Sequence, residues 1–354
     1  MPTPLPPNLY VSGTPMHTAY SSCLAFQAQT PQLQVPLTAN PTPLVSARLL
    51  GYMILHSPTP QGRANICNEI NSCNGNRDMF HDLANFYVDR YLRSFRSTKG
   101  RTPVHSDHPS RQSFDEMQET IKYLFDGPPK NHLEAKAAAL ERDGYRCMVT
   151  GRYDTSSCEK NPDIAALAVQ SGTVARETHA SHIFAPSTSQ DISGPNADGP
   201  KHNFAASAWA VMERMGSVLV PDELNGPDIH RLENVMTLET GVHSLFDNLK
   251  LWFEPTGTLP HQYRLCSPNS ALYISNLPQT VTFTSTSQHL PLPDLRYLAL
   301  HAACAKVAHL SGAGEYIDTI DRELESTGVL ATCGSSAGLL EAALNRHFQS
   351  VFVR

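Results

Sequence analysis

The sequence lacks the patterns that mark several classes of protein. No run approaches the roughly 18 apolar residues of a membrane-spanning helix, and Met1–Pro7 shows no basic segment followed by an apolar run, as a secretory signal would. No two cysteines are spaced as Cys-x-x-Cys, so a zinc ribbon is not predicted. We therefore expect an intracellular protein, nuclear or cytoplasmic, whose eight cysteines are free thiols.

Basic charge is also scarce. The 354 residues include 27 lysines and arginines against 33 acidic residues, which gives a formal net charge of −6. This charge argues against a protein that coats nucleic acid, which should be basic overall. The apolar fraction of 40% is enough to build a core, so the chain is not globally disordered, and its length suggests two or three domains.

Composition and hydrophobic periodicity divide the chain into four predicted regions. The fold class predicted for the whole chain is α+β. Residues 1–43 are rich in Pro and Thr and predict an irregular arm with one or two edge strands. Residues 44–139 predict helices, residues 140–256 a mixed α/β domain, and residues 257–354 short strands followed by helices. The helices predicted before the centre begin at Leu44 and continue over 62–73, 78–95, 113–125 and 131–143.

The central and final regions were assigned in the same way. Strands are predicted over 145–151 and 174–184, with a polar loop between them, and a further loop over 185–200. Three more strands are predicted over 249–254, 262–266 and 280–284. The predicted helices are 204–215, 239–248, 292–310, 314–326 and 335–349.

Four polar residues of the central region occur in a suggestive order: His182 in Ala-Ser-His-Ile-Phe, Asn234 in Leu-Glu-Asn-Val-Met, then His243 and Asp247. His243 and Asp247 are four residues apart, so on a helix they share one face and can hold Mg²⁺, Mn²⁺ or Zn²⁺. Each residue alone also has a structural explanation, as a buried histidine, a turn residue or a surface pair. The ordered combination favours a functional site.

This combination resembles the HNH endonuclease family. The resemblance covers roughly residues 140–254, including Arg142–Gly151 and Leu249–Phe253, and the flanks resemble fungal proteins that contain an HNH domain. It implies a β-hairpin and a helix around one divalent metal ion. It further implies an endonuclease that hydrolyses phosphodiester bonds in nucleic acid, with DNA favoured over RNA.

The resemblance also implies roles for single residues. His182 would be the general base, since an ordinary histidine pKa lies near working pH. Asn234 would hold the loop that carries this base, while His243 and Asp247 would bind the metal. Many family members place a metal-binding residue directly before the base, where this chain has Ser181, a poor ligand. His179 or Glu177, on the same strand face as Ser181, are possible substitutes.

Charge is the main objection to nucleic-acid binding by this domain. Residues 144–254 hold eight lysines and arginines against fourteen acidic residues, whereas phosphate contacts are made by basic side chains. An alternative function is therefore a catalytically weakened, HNH-derived binding protein. A basic cluster elsewhere could contact phosphates, although a solvated helix end with buried aromatics is the favoured interpretation. The cluster consists of Arg90, Arg93, Arg96, Lys99 and Arg101.

Overall fold

The computed structural model describes residues 2–29, 41–96, 131–186 and 200–326, and all structural statements below refer to these residues. They form two compact units. One lies within Met1–Ser94, Asp191–Val218 and Ala303–Arg354, and the other within Phe95–Gln190 and Leu219–Ala302. The helices predicted over 113–125 and 335–349, and most of the loop predicted over 185–200, lie outside the described residues.

The first unit is helical. Its helices begin where a polar side chain can cap the free backbone N–H groups: Thr42 and Thr59 each precede a helix that starts with proline, and Asn76 caps the next. The helix predicted over 78–95 ends in a π turn, Val88–Leu92, and a 3-10 turn, Arg93–Phe95. The helices are Pro15–Gln29, Pro43–His56, Pro60–Ser72, Arg77–Tyr87, Pro200–Gly216 and Ala313–Ser326.

The irregular arm predicted over residues 1–43 is wrong for Pro15–Gln29, which is a helix. Proline at the first position of a helix removes an N–H that has no intrahelical partner, so Pro15 does not oppose the helix. From residue 16 to residue 30 the sequence contains neither proline nor glycine. The overall proline content of the region therefore concealed an uninterrupted helical stretch.

The second unit contains both sheets. β1 (Thr178–His182) pairs antiparallel with β2 (Val235–Glu239), and β3 (Trp252–Pro255), β4 (Gln262–Cys266) and β5 (Thr280–Thr282) form an antiparallel meander. The α+β class is confirmed. The helices are His132–Arg142, Thr155–Lys160, Pro162–Gln170, Val220–Glu223, Thr240–Asp247 and Ser270–Tyr273, and Leu295–Ser311 contains the boundary between the units.

Two predictions in the central region are wrong. The strand predicted over 145–151 is a turn with one isolated bridge, Arg146 to Tyr153. The polar loop predicted after it holds two helices, Thr155–Lys160 and Pro162–Gln170, because Asp154 and Asn161 cap their first N–H groups. The predicted strand 174–184 is reduced to β1, which begins at Thr178.

No helix among the described residues is both long and apolar enough to cross a membrane.

The second unit buries a neutral histidine. His301 is 1% exposed and stacks on Phe246, with ring centroids 3.8 Å apart. Its Nε2 donates to the Phe246 carbonyl at 3.2 Å, while Nδ1 has no partner among the described residues. Burial lowers the pKa of His301 to about 3, because a proton on Nδ1 would place an unpaired charge in the core.

This histidine predicts acid sensitivity. In the unfolded chain His301 takes up a proton near pH 6.5, whereas in the folded state it does so only near pH 3, so its contribution to stability is lost as pH falls between these values. We expect this residue to account for about 1.4 kcal/mol of lost unfolding free energy per pH unit there. His301→Gln keeps a donor for the carbonyl without titrating, so its urea midpoint should fall less between pH 7.5 and 5.0. The exposed His289→Gln is the control; identical pH slopes in all three proteins would contradict the assignment.

Candidate functional site

The site is built on the hairpin of β1 and β2 and on the helix Thr240–Asp247 that follows β2 directly. His182 is the last residue of β1 and pairs with Val235, the first residue of β2. The chain between these strands includes the helix Pro200–Gly216, which belongs to the first unit. A long insertion therefore connects the two strands in place of a tight turn. Other interactions must hold β2 beside β1.

A buried ion pair supplies this anchor. Arg142 is fully buried and donates to both oxygens of Asp143, at 2.7 and 2.9 Å. The same guanidinium donates to the carbonyls of Leu232 and Val235, each at 2.8 Å, and Asp143 accepts from the backbone N–H of Thr237 at 3.1 Å. The end of one helix thus fixes the first three residues of β2.

The Asn234 side chain connects the two ends of the insertion. Its Oδ1 accepts from the Phe184 N–H at 2.8 Å, and its Nδ2 donates to the carbonyls of Phe184 at 3.0 Å and Ile229 at 2.8 Å. Phe184 lies two residues after His182, and Ile229 directly precedes His230. One fully buried amide therefore positions the backbone beside two histidines.

His182 lies in a group of three histidines. Its Nε2 is 3.0 Å from Nδ1 of His230, and its ring stacks on His132 with centroids 5.5 Å apart. Burial, followed by the neighbouring His230 and His132, lowers the pKa of His182 to about 3, while a hydrogen bond to the Ala180 carbonyl opposes the shift. With the ring proton assigned to that contact, Nε2, which faces Nδ1 of His230, is the nitrogen that carries the lone pair of the neutral ring.

His243 lies in a second group, together with three residues predicted from the sequence as metal ligands or their substitutes: His179, Asp247 and Glu177. Its Nδ1 is 3.1 Å from Nδ1 of His179, and its Nε2 is 3.2 Å from Oδ2 of Asp247. On the other side, Nε2 of His179 is 3.7 Å from Oε1 of Glu177. The four side chains form a line in which a carboxylate stands behind each imidazole.

This second group fits a metal ion. Two nitrogens bound to one tetrahedral ion at about 2.0–2.1 Å each lie about 3.3 Å apart, close to the observed Nδ1 separation of 3.1 Å. Carboxylates behind metal-binding imidazoles orient such rings. Burial, followed by His243, lowers the pKa of His179, so its ring is neutral as a ligand must be.

The other predicted site residues are placed less favourably. Ser181 is fully buried, and its Oγ has no partner among the described residues. In the basic cluster, Arg96 is buried, and the Arg93 side chain is 11% exposed and 3.2 Å from Asp89. Burial lowers the pKa of half-buried Arg90. These three arginines offer little surface to a phosphate, and Lys99 and Arg101 lie outside the described residues.

Sequence reasoning missed His132 and His230. His132 begins a helix packed on the hairpin through small residues, since Ala135 and Ala139 meet Ala180 in one apolar cluster. His230 ends a 3-10 turn, four residues before Asn234. The positions of the sixteen histidines in the chain carried no signal that would separate these two from the rest.

The β1–β2 hairpin and the helix that follows it have the order of a ββα motif, with His182 at the end of β1, Asn234 just before β2 and His243 on the helix. Residues 147–254 match the family model described as HNH endonuclease. This segment is therefore similar to HNH endonucleases, which confirms the resemblance and favours a nuclease-type function. Searches of curated proteins and of solved structures gave no match.

The three hydrogen bonds of Asn234 predict a large stability cost on truncation. Asn234→Ala leaves a buried N–H and two buried carbonyls without their partner, so we expect the unfolding free energy to fall by at least about 2 kcal/mol. Urea denaturation measures this loss. Exposed Asn276→Ala is the matched control and should change stability by less than about 0.5 kcal/mol. Equal effects of the two substitutions would show that the amide does not hold the insertion.

Proposed function

We propose that this protein is a metal-dependent endonuclease that hydrolyses phosphodiester bonds in nucleic acid, with DNA as the substrate. The observation that carries the proposal is the contact between His179 on β1 and His243 on the site helix, on the same short hairpin as His182. A hydrolase of this type needs a base for water and a cation for the phosphate, held in fixed register. The hairpin and its helix supply both within one structural element.

We assign the metal to the two Nδ1 atoms of His179 and His243. A divalent cation held there would stabilise the negative charge that develops on the scissile phosphate. Asp247 faces the opposite nitrogen of His243, so in this arrangement it orients the ring and does not bind the ion directly. Glu177 has the same relation to His179, and together they hold the two rings at ligand spacing.

His182 is assigned as the general base. Its Nε2 carries the lone pair, and its low pKa keeps the ring neutral over the whole working range. A group with so low a pKa is a weak base until substrate is bound. The negative charge of a phosphodiester beside the ring favours its protonated form and raises the pKa, so substrate binding itself prepares His182 to accept a proton.

Asn234 is assigned as a positioning residue. Its amide touches only backbone, at Phe184 and Ile229, and it has no free polar atom to offer a substrate. Its effect on the reaction is to fix the end of β1, and with it the direction of the His182 ring.

Removal of the base tests the reaction. The metal-free protein is supplied with Mg²⁺ or Mn²⁺ and supercoiled plasmid, and the rate of nicking is measured. His182→Ala should lower this rate by about 10²–10⁴-fold, since it removes the general base. His289→Ala, at an exposed histidine, should cleave as the unsubstituted protein does.

Three outcomes of this assay differ in meaning. Cleavage that is unchanged in His182→Ala rejects the assignment of the base. No cleavage by any variant, together with retained metal binding, favours the alternative of an HNH-derived binding protein. Cleavage of an RNA strand in preference to plasmid would reject DNA as the substrate.

The two roles assigned to the helix predict unequal losses of metal affinity. His243→Ala removes a ligand and should abolish measurable Mn²⁺ binding at this pair, whereas Asp247→Asn removes only the orienting partner and should weaken binding by about 10–100-fold. Calorimetric titration of the metal-free protein measures both. If Asp247→Asn abolishes binding as completely as His243→Ala, Asp247 is itself a ligand.

A further inference from the structure

His132, His182 and His230 converge from three separate elements. His132 is the first residue of its helix, His182 the last of β1, and His230 the last of the turn Gly226–His230. Each offers a ring nitrogen, and these three nitrogens all lie within 4.8 Å of one another. The shortest separation, 3.0 Å between Nε2 of His182 and Nδ1 of His230, is close to the spacing of two nitrogens on one tetrahedral ion.

This group is distinct from the metal pair described above. Its contacts run among its own three rings, with centroid distances of 5.5, 6.4 and 5.1 Å, while His243 contacts His179 and Asp247. His132 also lies outside residues 147–254, the segment that matches the HNH family model. Neither His132 nor His230 has a part in the proposed reaction.

We infer that His132, His182 and His230 form a second metal site, selective for Zn²⁺ or a similar transition ion. Three imidazoles with no carboxylate among them suit zinc and its neighbours, whereas Mg²⁺ is held mainly by oxygen ligands, which at the His179 and His243 pair would come from water and the substrate phosphate. Three protein ligands leave a fourth, open position for water.

The surroundings of the three rings support this inference. Metal binding requires neutral imidazole, and burial lowers the pKa of His132, His182 and His230 alike. Glu134 lies close enough to His230 to act on its pKa in the opposite direction. A carboxylate near a ligand histidine increases the basicity of the ring that binds the metal.

Occupancy of this site would regulate the proposed reaction, and this step rests on the proposed function. A metal ion bound to Nε2 of His182 uses the lone pair that the base needs to accept a proton from water. The zinc-loaded protein would then be unable to activate water, although its His179 and His243 pair stays intact. The site therefore acts as an inhibitory zinc switch.

Zinc stoichiometry tests the site independently of activity. The full-length protein is freed of metal with a chelator and titrated calorimetrically with Zn²⁺ alone. His132→Gln and His230→Gln should each bind one zinc equivalent fewer than the unsubstituted protein, or bind that equivalent at least about tenfold more weakly. His132 is the most exposed of the three histidines, so its substitution is the least disturbing to the fold.

Two control variants show which of the two sites has lost its zinc ion. His289→Gln, at an exposed histidine outside both groups, should bind zinc as the unsubstituted protein does. The double variant His132→Gln with His243→Ala should lose two equivalents, because it damages both sites. If His132→Gln and His230→Gln both keep the stoichiometry and affinity of the unsubstituted protein, the three histidines are only a hydrogen-bonded cluster, and the inference is overturned.

The inhibitory role has its own measurement. In the Mg²⁺-dependent cleavage assay, the rate of each protein is expressed relative to its own rate without zinc. The zinc concentration that halves this rate should be at least tenfold higher for His132→Gln than for the unsubstituted protein. An unchanged half-inhibition concentration overturns the switch. Absence of cleavage in every variant counts against the proposed function alone, because the calorimetric result for the zinc site stands apart from it.

Discussion

The histidine clusters depend on the burial of one ion pair. A charged pair is tolerated in a protein interior only where its donors and acceptors all find partners. Arg142 and Asp143 meet this condition through backbone groups of Leu232, Val235 and Thr237. A shift of β2 that moved these backbone groups away would leave donors and acceptors of the buried pair without partners. The ion pair therefore holds β2 in its position, which the insertion between the two strands cannot do. The positions of the histidines depend on this arrangement.

Strand geometry explains why the histidines divide into two groups. His179 and His182 are three residues apart on β1, and successive side chains of a strand point to opposite faces. His182 is the last residue of the strand, and both rings remain near the site helix, since His243 lowers the pKa of each. His179 contacts His243 on the site helix, and His182 stacks on His132, which begins another helix. A single five-residue strand therefore serves two clusters with different ligand chemistry. The carboxylates stand beside the first, and the second is made of imidazoles alone.

The sequence predicted those parts of the site that depend on local spacing. The interval from His243 to Asp247 places both residues on one helical face, and the contact between them needs nothing else. His132 and His230 could not be predicted, because their approach to His182 depends on tertiary packing of alanines and on the Asn234 amide. The fold shows the same division. Helices with regular apolar spacing were predicted, whereas β2 was implied only by the family resemblance, and its pairing depends on buried groups far away in the chain.

Electrostatics sets the condition under which such a domain could hold a polyanion. Residues 144–254 carry more acidic than basic side chains, and the buried imidazoles are neutral. Lys136 is a basic side chain near the clusters, close enough to lower the pKa values of His132 and His179. One lysine offsets little of the repulsion, so most of the local positive charge has to come from a bound cation. Metal binding and substrate binding are then thermodynamically linked, each increasing the affinity of the other by the same factor. Under the proposed function, the affinity of this acidic domain for its substrate would therefore depend on metal occupancy.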